Sequence, residues 1–321
     1  FHFGELSFNH YLILAGDHLY KMDYEEFLAF HEAKKADITV AVTPVAKTQA
    51  QGLGLVRVNR QNRITGFAEK PKDISALKGF GWSDGPVKAN APKSKRQAVK
   101  YLASMGIYYF RRPVLNSVLE NPQDVDFGKH ILPKAVEQGL KVFAYPFKGY
   151  WRDIGTIKSF YEANLQMTRP DAPFNFQGDG LPTFTRSRYL SGSKILSSHV
   201  DRAIVAAGSM LKSCDVTDST IGLRSQLREG SQVRNTVMMG ADYFETEASK
   251  RKSRRTKQPQ LGIGRNCTIE QAIIDKNARI GNGVRIINQN SERQADGEFY
   301  YIRDGIVIIP KNAVVPDGTI I

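Results

Sequence analysis

Two aspartates occupy similar places in the sequence, each in a loop that leads from a predicted strand to a predicted helix. Asp17 comes shortly after the apolar run Tyr11–Ala15. Asp153 comes shortly after the strand-like segment 141–147. Ligands of open α/β sheets gather outside the carboxyl ends of strands, where carboxylates can hold a divalent metal ion beside phosphate oxygens. The two acids could share one such ion, or they could be a turn residue and a helix-capping acid near Thr156.

A lysine and a glycine are further candidates for a ligand site. Lys70 precedes Pro71 at the end of the predicted hairpin 52–71, where a compact cation suits a phosphate oxygen. In isolation, such a residue is more simply explained as a surface lysine. Gly106 lies inside the predicted strand 101–110, and glycine within a strand often marks the close approach of another group.

The elements that must position these residues follow a strand, helix, strand pattern. Tyr11–Ala15 reads as a strand buried on both faces of a parallel sheet. Tyr24–Lys35 has helical spacing of apolar residues, with Asp23 as a possible N-cap, and Asp37–Val45 is the next strand. Such a unit predicts parallel pairing with a right-handed crossover. The α/β region ends at a proline-bearing linker that begins at Thr168.

The second half of the chain has a different period. Aliphatic residues recur every six positions, with slips of one residue between series. This period fits neither an amphipathic helix nor an ordinary hairpin and indicates hexapeptide repeats of a parallel β-helix; the alternative is a sandwich of hairpins. The predicted inward positions are Ile204, Met210 and Val216; Ile221, Leu227, Val233 and Met239; Ile263 and Ile269; Ile274, Ile280 and Ile286; and Ile308, Val314 and Ile320.

Three segments carry weaker signals. Residues 72–100, rich in Lys, Gly, Pro and Ser, read as a loop or insertion. The triplet 126–128 has the letters of the kinase DFG motif, but no HRD-type loop and no glycine-rich loop precede it, so a kinase is rejected. The basic run Lys250–Lys257 is interpreted as a solvated loop rather than a nucleic-acid patch, because no aromatic residues interleave with it.

The composition predicts one large or two medium globular domains. The chain has 321 residues, of which 41% are apolar and 24% charged, enough for packed cores. No run of about 18 apolar residues occurs, so no transmembrane helix is expected. Two distant cysteines, Cys214 and Cys267, form no disulfide framework. The net charge of +13 favours anionic partners such as phosphorylated metabolites, nucleotides or nucleic acid.

Taken together, the motifs GDHLY, FAEKP, YLASMG and WRDIGT, followed by hexapeptide repeats, resemble the ADP-glucose pyrophosphorylase (glucose-1-phosphate adenylyltransferase) family. The stretches GADYFETEA, AIIDKNARIG and GIVIIPKNAVVPDGTII are similar to its plant, algal and cyanobacterial members. The resemblance spans nearly the whole chain. It implies an α/β fold with a truncated Rossmann-like nucleotidyltransferase sheet over 1–168, a linker over 169–190, and a left-handed parallel β-helix of hexapeptide repeats over 191–321.

The same resemblance implies an enzyme and its ligands. The family transfers a nucleotidyl group from ATP to α-D-glucose 1-phosphate, giving ADP-glucose and pyrophosphate for starch or glycogen synthesis. Asp17 and Asp153 would hold the catalytic Mg²⁺. Lys70 would bind the phosphate of glucose 1-phosphate, and Glu69 would bind the sugar hydroxyls. Ser104 and Gly106 would also line the sugar pocket.

Regulation by anions is implied as well. Lys276 and Lys311 match the lysines that bind the activator 3-phosphoglycerate in photosynthetic members, and Arg224 is a weaker candidate for the same anion site. Phosphate would be a further effector. The resemblance implies a homo- or heterotetramer of related subunits, with no nucleic-acid or membrane partner. It also implies a plastid location in a photosynthetic eukaryote and a cytoplasmic one otherwise.

One departure from the family pattern concerns the amino end. A glycine-rich nucleotide loop is expected well before GDHLY, but only sixteen residues precede Asp17. We therefore expect either an incomplete chain, with an exposed strand edge or apolar face, or a non-catalytic regulatory subunit. A mannose-1-phosphate guanylyltransferase is a further alternative. A hexapeptide acyltransferase is disfavoured, since His199 is the only histidine in the second half and precedes most of the repeats.

Overall fold

The computed structural model describes residues 8–73, 79–82, 100–173 and 183–321. The chain divides into two compact units, Phe1–Trp151 and Arg152–Ile321. Most of the predicted loop 72–100 and the middle of the predicted linker 169–190 lie outside the described residues. We describe each unit separately.

The first unit is built on a mixed sheet with short helices on it. The strands described up to the unit boundary are β1 (His10–Leu14), β2 (His18–Tyr20), β3 (Ile38–Ala46), β4 (Leu55–Val58), β5 (Ile64–Ala68), β6 (Gly81–Trp82), β7 (Lys100–Arg111), β8 (Val142–Pro146) and β9 (Trp151–Asp153). The helices are α1 (Tyr24–Ala33), α2 (Arg112–Val118), one π-helical turn (Phe127–Ile131) and α3 (Leu132–Glu137).

Strand β7 is the centre of this sheet. Both β1 and β3 pair with it in antiparallel register, while β3 pairs in parallel with β8. The prediction that the strands flanking α1 pair with each other is therefore wrong, because β7, which follows them by many residues, lies between them. The prediction that Tyr11–Ala15 is buried on both faces is also wrong: Leu14 is 44% exposed, since β1 pairs only with β7 among the described strands.

Local signals in this unit were good guides to its elements. The side chain of Asp23 accepts hydrogen bonds from Glu25 N (2.8 Å) and Glu26 N, which confirms the predicted N-cap of α1. Phe27 of that helix is fully buried and packs in the same cluster as Met105 of β7. The predicted hairpin is formed by β4 and β5. Burial of each large apolar side chain contributes about 1.5–3 kcal/mol.

The second unit contains one helix before its coils and one within them. Its described helices are α4 (Ile157–Gln166) and α5 (Glu247–Arg255). Its strands are β10 (Lys194–Leu196), β11 (His199–Val205), β12 (Met210–Lys212), β13 (Asp215–Ile221), β14 (Gln226–Leu227), β15 (Gln232–Met238), β16 (Gly262–Ile263), β17 (Thr268–Ile274), β18 (Arg279–Ile280), β19 (Arg285–Ile286), β20 (Gln294–Asp296), β21 (Tyr301–Arg303), β22 (Ile306–Ile309) and β23 (Val314–Val315).

Successive coils stack in parallel register, so that inward side chains form columns. In one column, Val216 lies beside Val233, which lies beside Ile269. Two other columns align in the same way and are buried: Ile221, Met238, Ile274 and Ile309; and Leu211, Leu227, Ile263, Ile280 and Val315. These columns confirm the β-helix interpretation of the six-residue period.

The six-residue count placed some inward positions of the β-helix one residue away from the buried residue. In the last coil the buried residues are Ile309, Val315 and Ile321, not Ile308, Val314 and Ile320. Met238, Leu211 and Val205 likewise replace Met239, Met210 and Ile204 in their columns. The error in the last coil has a physical cause: the hairpin of β20 and β21 interrupts the coil after β19, and a repeat cannot be counted across an insertion of arbitrary length.

Both helices of the second unit are tied to the coils or inserted between them. Phe160 and Tyr161 of α4 pack in one cluster with Val237 and Ile273. The basic run Lys250–Lys257 was predicted to be a solvated loop, and this prediction is wrong. Most of the run belongs to α5, whose N-cap is Thr246. Lysine and arginine have high helix propensity, which a reading based on charge alone overlooked. Within the described ranges, no helix has the length and apolarity needed to cross a membrane.

Candidate functional site

Asp17 lies in the turn between β1 and β2. Its side chain is 62% exposed, with Oδ1 3.6 Å from Nε2 of His18. The His18 ring is held from its other side, where Nδ1 lies 2.7 Å from the Met105 carbonyl oxygen. This places a solvent-accessible carboxylate beside the middle of β7.

Gly106 explains why that turn can dock on β7. It has φ +66°, and a Cβ atom there would lie 3.0 Å from both Ala15 Cβ and His18 Cε1. Ala15 N donates a hydrogen bond to the Gly106 carbonyl at 3.0 Å. The close approach predicted from this glycine is therefore made by the chain itself, through the turn that carries Asp17.

Glu69 occupies a narrow space between two glycines. A Cβ atom added at Gly128 would lie 2.4 Å from Glu69 Oε2, and one at Gly54 would lie 2.7 Å from the same oxygen. Burial, and then the nearby carboxylate of Asp126, raise the pKa of Glu69, while Lys70 lowers it. A half-buried carboxylate is suited to accept hydrogen bonds from a polyhydroxyl ligand.

Ser104 and Tyr108 form the neighbouring part of this site on β7. The Ser104 hydroxyl accepts a hydrogen bond from Gly106 N at 3.3 Å. Burial raises the pKa of the Tyr108 hydroxyl, the nearby Ser104 hydroxyl lowers it, and the charge of Glu69 adds to the rise. Glu69, Ser104 and Gly106 thus lie in one neighbourhood.

Lys70 directly follows Glu69 in an unusual backbone conformation. Its φ is +44°, and its backbone N donates a hydrogen bond to the Leu53 carbonyl at 3.2 Å. The left-handed conformation is uncommon for a lysine and turns the chain so that an exposed cation follows the half-buried Glu69.

Residues 126–128, rejected as a kinase motif, take part in this site in another way. Asp126 Oδ1 accepts a hydrogen bond from Lys129 N at 2.8 Å and caps the π-helical turn. The Phe127 ring stacks on Tyr108 with centroids 5.4 Å apart, and Gly128 leaves room for Glu69. Sequence reasoning missed these contributions and that of Tyr108, because no local spacing connects them to Glu69.

Asp153 belongs to the second unit and lies ahead of α4. Its Oδ1 accepts a hydrogen bond from Gly155 N at 2.8 Å. The N-cap of α4 is Thr156, whose side chain accepts from Ser159 N at 3.1 Å in a capping box. Asp153 is therefore not the helix cap that the sequence left open as an alternative.

A second charged cluster joins consecutive coils of the β-helix. Asp242 accepts hydrogen bonds from Lys276 Nζ at 3.1 Å and from Lys311 Nζ at 3.2 Å. Both lysines precede an asparagine with φ +62°, Asn277 and Asn312, and the two asparagine side chains bond to each other at 3.2 Å. The two predicted effector lysines thus lie together at one corner of stacked coils.

Arg224 lies beside this cluster. Its guanidinium donates to the Ala241 carbonyl at 3.2 Å, next to Asp242, and its Cζ lies 5.7 Å from the ring centroid of Phe244. The aromatic face holds the cation without neutralising it. All three residues predicted to bind an anionic effector are therefore close to the segment 240–244, which the sequence had not singled out as part of that site.

Known protein families match both units. Residues 2–169 match the nucleotidyl transferase family model, and residues 188–320 match that of the GLGC left-handed parallel beta-helix domain. The chain is 42% identical over 326 residues to a glucose-1-phosphate adenylyltransferase small subunit, chloroplastic/amyloplastic, of Triticum aestivum. The match covers 99% of this chain and 68% of the relative.

The chain belongs to the glucose-1-phosphate adenylyltransferase family. Family membership makes it an enzyme of the nucleotidyltransferase class and confirms the predicted order of an α/β nucleotidyltransferase region and a left-handed β-helix. The first family model ends at residue 169 and the second begins at residue 188. The division into compact units, in contrast, places α4 in the same unit as the β-helix. The predicted domain limits at 168 and 191 stay predictions, as do the ligands of the individual site residues.

Proposed function

We propose that this chain transfers a nucleotidyl group from ATP to α-D-glucose 1-phosphate, releasing ADP-glucose and pyrophosphate for starch or glycogen synthesis. The observation that carries this proposal is the place of the half-buried Glu69 carboxylate, close to Gly54 and Gly128 and near Ser104 and Tyr108. Carboxylate and hydroxyl groups are the hydrogen-bonding partners that sugar hydroxyls require. The family supplies the reaction class.

Each residue of this neighbourhood has a role in the proposal. Glu69 accepts hydrogen bonds from the sugar hydroxyls, and Ser104 adds a polar group from β7. Gly106 lets the turn of Asp17 approach that strand. Lys70 binds the phosphate of glucose 1-phosphate as a point charge. Together these residues orient the sugar phosphate for attack on the α-phosphorus of ATP.

The cation of the proposed reaction is Mg²⁺, with Asp17 and Asp153 as its protein ligands. The donor chemistry fits, because Mg²⁺ prefers carboxylate oxygens and commonly uses one or two carboxylates together with substrate phosphates. The exposure of the Asp17 carboxylate leaves it open to such a ligand. When bound, the ion would neutralise charge that builds on the phosphate oxygens.

Regulation and assembly form the finer part of the proposal. Lys276, Lys311 and Arg224 bind an anionic effector such as 3-phosphoglycerate or phosphate. Subunits of this kind form a homo- or heterotetramer, and the chain works in a plastid, as the name of the wheat relative indicates for that protein. The cluster around Asp242 supports the effector site, since it gathers three cations at one place.

The test is a pyrophosphate-release assay with ATP, Mg²⁺ and glucose 1-phosphate, with and without 3-phosphoglycerate. The chain is assayed alone and mixed with a full-length related subunit, and GTP with mannose 1-phosphate serves as the competing substrate pair. We expect ADP-glucose as the product. Turnover of only the mannose pair would overturn the proposal. No activity of the chain alone, together with an altered effector response of the full-length subunit in the mixture, would favour a regulatory subunit.

A matched pair of variants locates the sugar site. Glu69→Gln keeps the shape of the side chain but removes its charge, so we expect weaker binding of glucose 1-phosphate by about tenfold or more. Glu120→Gln, an exposed residue, is the control and should bind as the parent chain does. Isothermal titration with glucose 1-phosphate measures both. Equal affinity in the two variants would remove Glu69 from the sugar site.

A further inference from the structure

One acidic residue lies within the proposed effector site, where an anion would be expected to bind. The carboxylate of Asp242 uses its two oxygens separately, Oδ1 on Lys276 and Oδ2 on Lys311. An ion pair of this form occupies both ammonium groups at once. The Asp242 carboxylate therefore makes the contacts with the two lysines that a bound anion would make.

We propose that Asp242 is an internal competitor for the effector site, and that an anionic phosphorylated effector binds by drawing the side chains of Lys276 and Lys311 away from its carboxylate. This inference rests on the proposed effector site. It adds a residue that no family pattern assigned, and it states how the site changes between its free and its occupied forms.

The backbone that presents Asp242 is fixed independently of the lysines. Asp242 N donates to Asn277 Oδ1 at 2.8 Å, and Asn277 Nδ2 donates back to Asp242 Oδ2 at 3.1 Å. Asn277 is 5% exposed, and its own N donates to the Gly240 carbonyl at 3.0 Å. The competing carboxylate is thus held in place by the stacked coils, whereas the lysine side chains reach it from the surface.

The ion pairs themselves are exchangeable. The side chains of Asp242, Lys276 and Lys311 are 40%, 43% and 51% exposed, and ion pairs at such positions contribute little to stability. Hydrogen bonds from Lys276, then Lys311 and Asn277, lower the pKa of Asp242 to about 2. The carboxylate is therefore ionised at neutral pH and competes as a full negative charge.

Charge balance explains why a phosphorylated ligand would prevail. With Asp242 in place, the two lysines keep one net positive charge. Arg224, which donates to the Ala241 carbonyl and lies over Phe244, adds another. A phosphate group carries more charge than one carboxylate and offers three strong acceptor oxygens. It can satisfy both lysines and still attract Arg224.

The test uses the full chain and two probes, inorganic phosphate and 3-phosphoglycerate, in isothermal titration. Asp242→Asn keeps an acceptor and a donor for Asn277 but removes the competing charge, so we expect both probes to bind about three to ten times more tightly. Asp242→Ala is a second variant with the same expectation. Thermal unfolding checks that both variants fold.

The matched control is Asp218→Asn. Asp218 also accepts hydrogen bonds from a basic side chain on the β-helix surface, that of Arg202, so this variant changes the net charge equally at a different ion pair. Its affinity for both probes should match the parent chain. An equal gain in Asp218→Asn and Asp242→Asn would attribute the effect to net charge and overturn the proposal.

A Lys276→Ala/Lys311→Ala double variant separates this proposal from the effector site on which it rests. If the parent chain binds the probes and the double variant does not, the site stands. Unchanged or weaker binding by the Asp242 variants would then mean that Asp242 positions the lysines rather than competing with the ligand. If neither the parent nor the Asp242 variants bind either probe, the effector site itself is wrong.

Discussion

The two units bring charged groups together by different means. In the first unit, Glu69, Ser104 and Asp126 come from separate segments of unequal length, joined only where glycines let side chains approach. In the second unit, Lys276 and Lys311 occupy equivalent places in consecutive coils, each followed by an asparagine with the same φ of +62°. One site depends on particular contacts, and the other on a repeated backbone.

This difference determines what each site tolerates. A coil whose inward residues are buried in columns presents its corner residues in fixed positions, so substitution of a surface lysine leaves the coil intact. In the first unit, a Cβ atom at either Gly128 or Gly54 would lie within 2.7 Å of the same oxygen of Glu69, so the site depends on these two glycines. The following predictions test how each unit responds when its supporting contacts are removed.

The largest effect should come from the buried ion pair that fastens the α5 insertion to the coils. Glu245 and Arg279 side chains are 4% and 12% exposed and joined at 2.6 Å, and Glu245 also accepts from Leu261 N at 3.0 Å. Glu245→Gln leaves a buried guanidinium without its counter-charge, so the free energy of unfolding should fall by about 3–5 kcal/mol. Chemical denaturation measures it.

The control is Glu247→Gln, which removes a partner of Lys250 from the exposed surface of α5. This variant should leave the free energy of unfolding close to that of the parent chain, because ion pairs at exposed positions contribute little. A similar small effect for Glu245→Gln would show that the insertion does not depend on the buried pair, and that the coils alone stabilise the second unit.

A second prediction tests the columns of the β-helix. Ile309 is fully buried, whereas Ile320, which the six-residue count had placed inside, is 53% exposed. Ile309→Ala should cost about 2–5 kcal/mol, through lost burial and the cavity left behind. Ile320→Ala should cost less than about 0.5 kcal/mol. Comparable losses in urea denaturation would contradict the register.

The third prediction concerns the contact-built site of the first unit. A methyl group at Gly128 would collide with the end of the flexible Glu69 side chain, not with backbone. Gly128→Ala should therefore displace the carboxylate at little cost in stability, while weakening glucose 1-phosphate binding about tenfold. Isothermal titration and thermal unfolding, recorded on the same sample, measure the two effects.

Gly192 provides the matched control for this substitution. A Cβ atom there meets no heavy atom within 4 Å, and its φ is not positive. Gly192→Ala should leave both stability and sugar-phosphate binding at the parent values. If Gly128→Ala lowered the melting temperature strongly but left binding unchanged, the glycine would serve packing, and the proposed sugar site would lose its supporting contact.

The sequence predicted the repeated part of the molecule better than the contact-built part. Column residues such as Val233 and Ile269 follow from a period, because each coil repeats the geometry of the last. The misplacement of Ile320 shows the limit of that reasoning, since an inserted hairpin resets the count. In the first unit, helix α1 and its cap Asp23 followed from local preferences.

Pairing and site geometry in the first unit depend on segments far apart in the chain. Nothing near Tyr11 or Asp37 in the sequence indicates that β7 lies between their strands. Tyr108 was likewise missed, because its proximity to Ser104 and Glu69 arises only once β5 and β7 are placed. Family resemblance supplied the site residues there, and local periodicity did not.

The smallest effect tests whether α4 belongs with the coils. The Tyr161 hydroxyl donates to the Asn235 carbonyl at 2.6 Å, and burial raises the pKa of Tyr161 to about 12. Tyr161→Phe should lower the free energy of unfolding of the second unit by about 0.5–1.5 kcal/mol, because it leaves that carbonyl without its donor.

Tyr189→Phe, at an exposed ring, should have no effect. Denaturation followed by hydrogen exchange localises the loss: faster exchange at amides of β15 and β17 is expected, while a loss confined to β3 and β7 would assign α4 to the first unit instead.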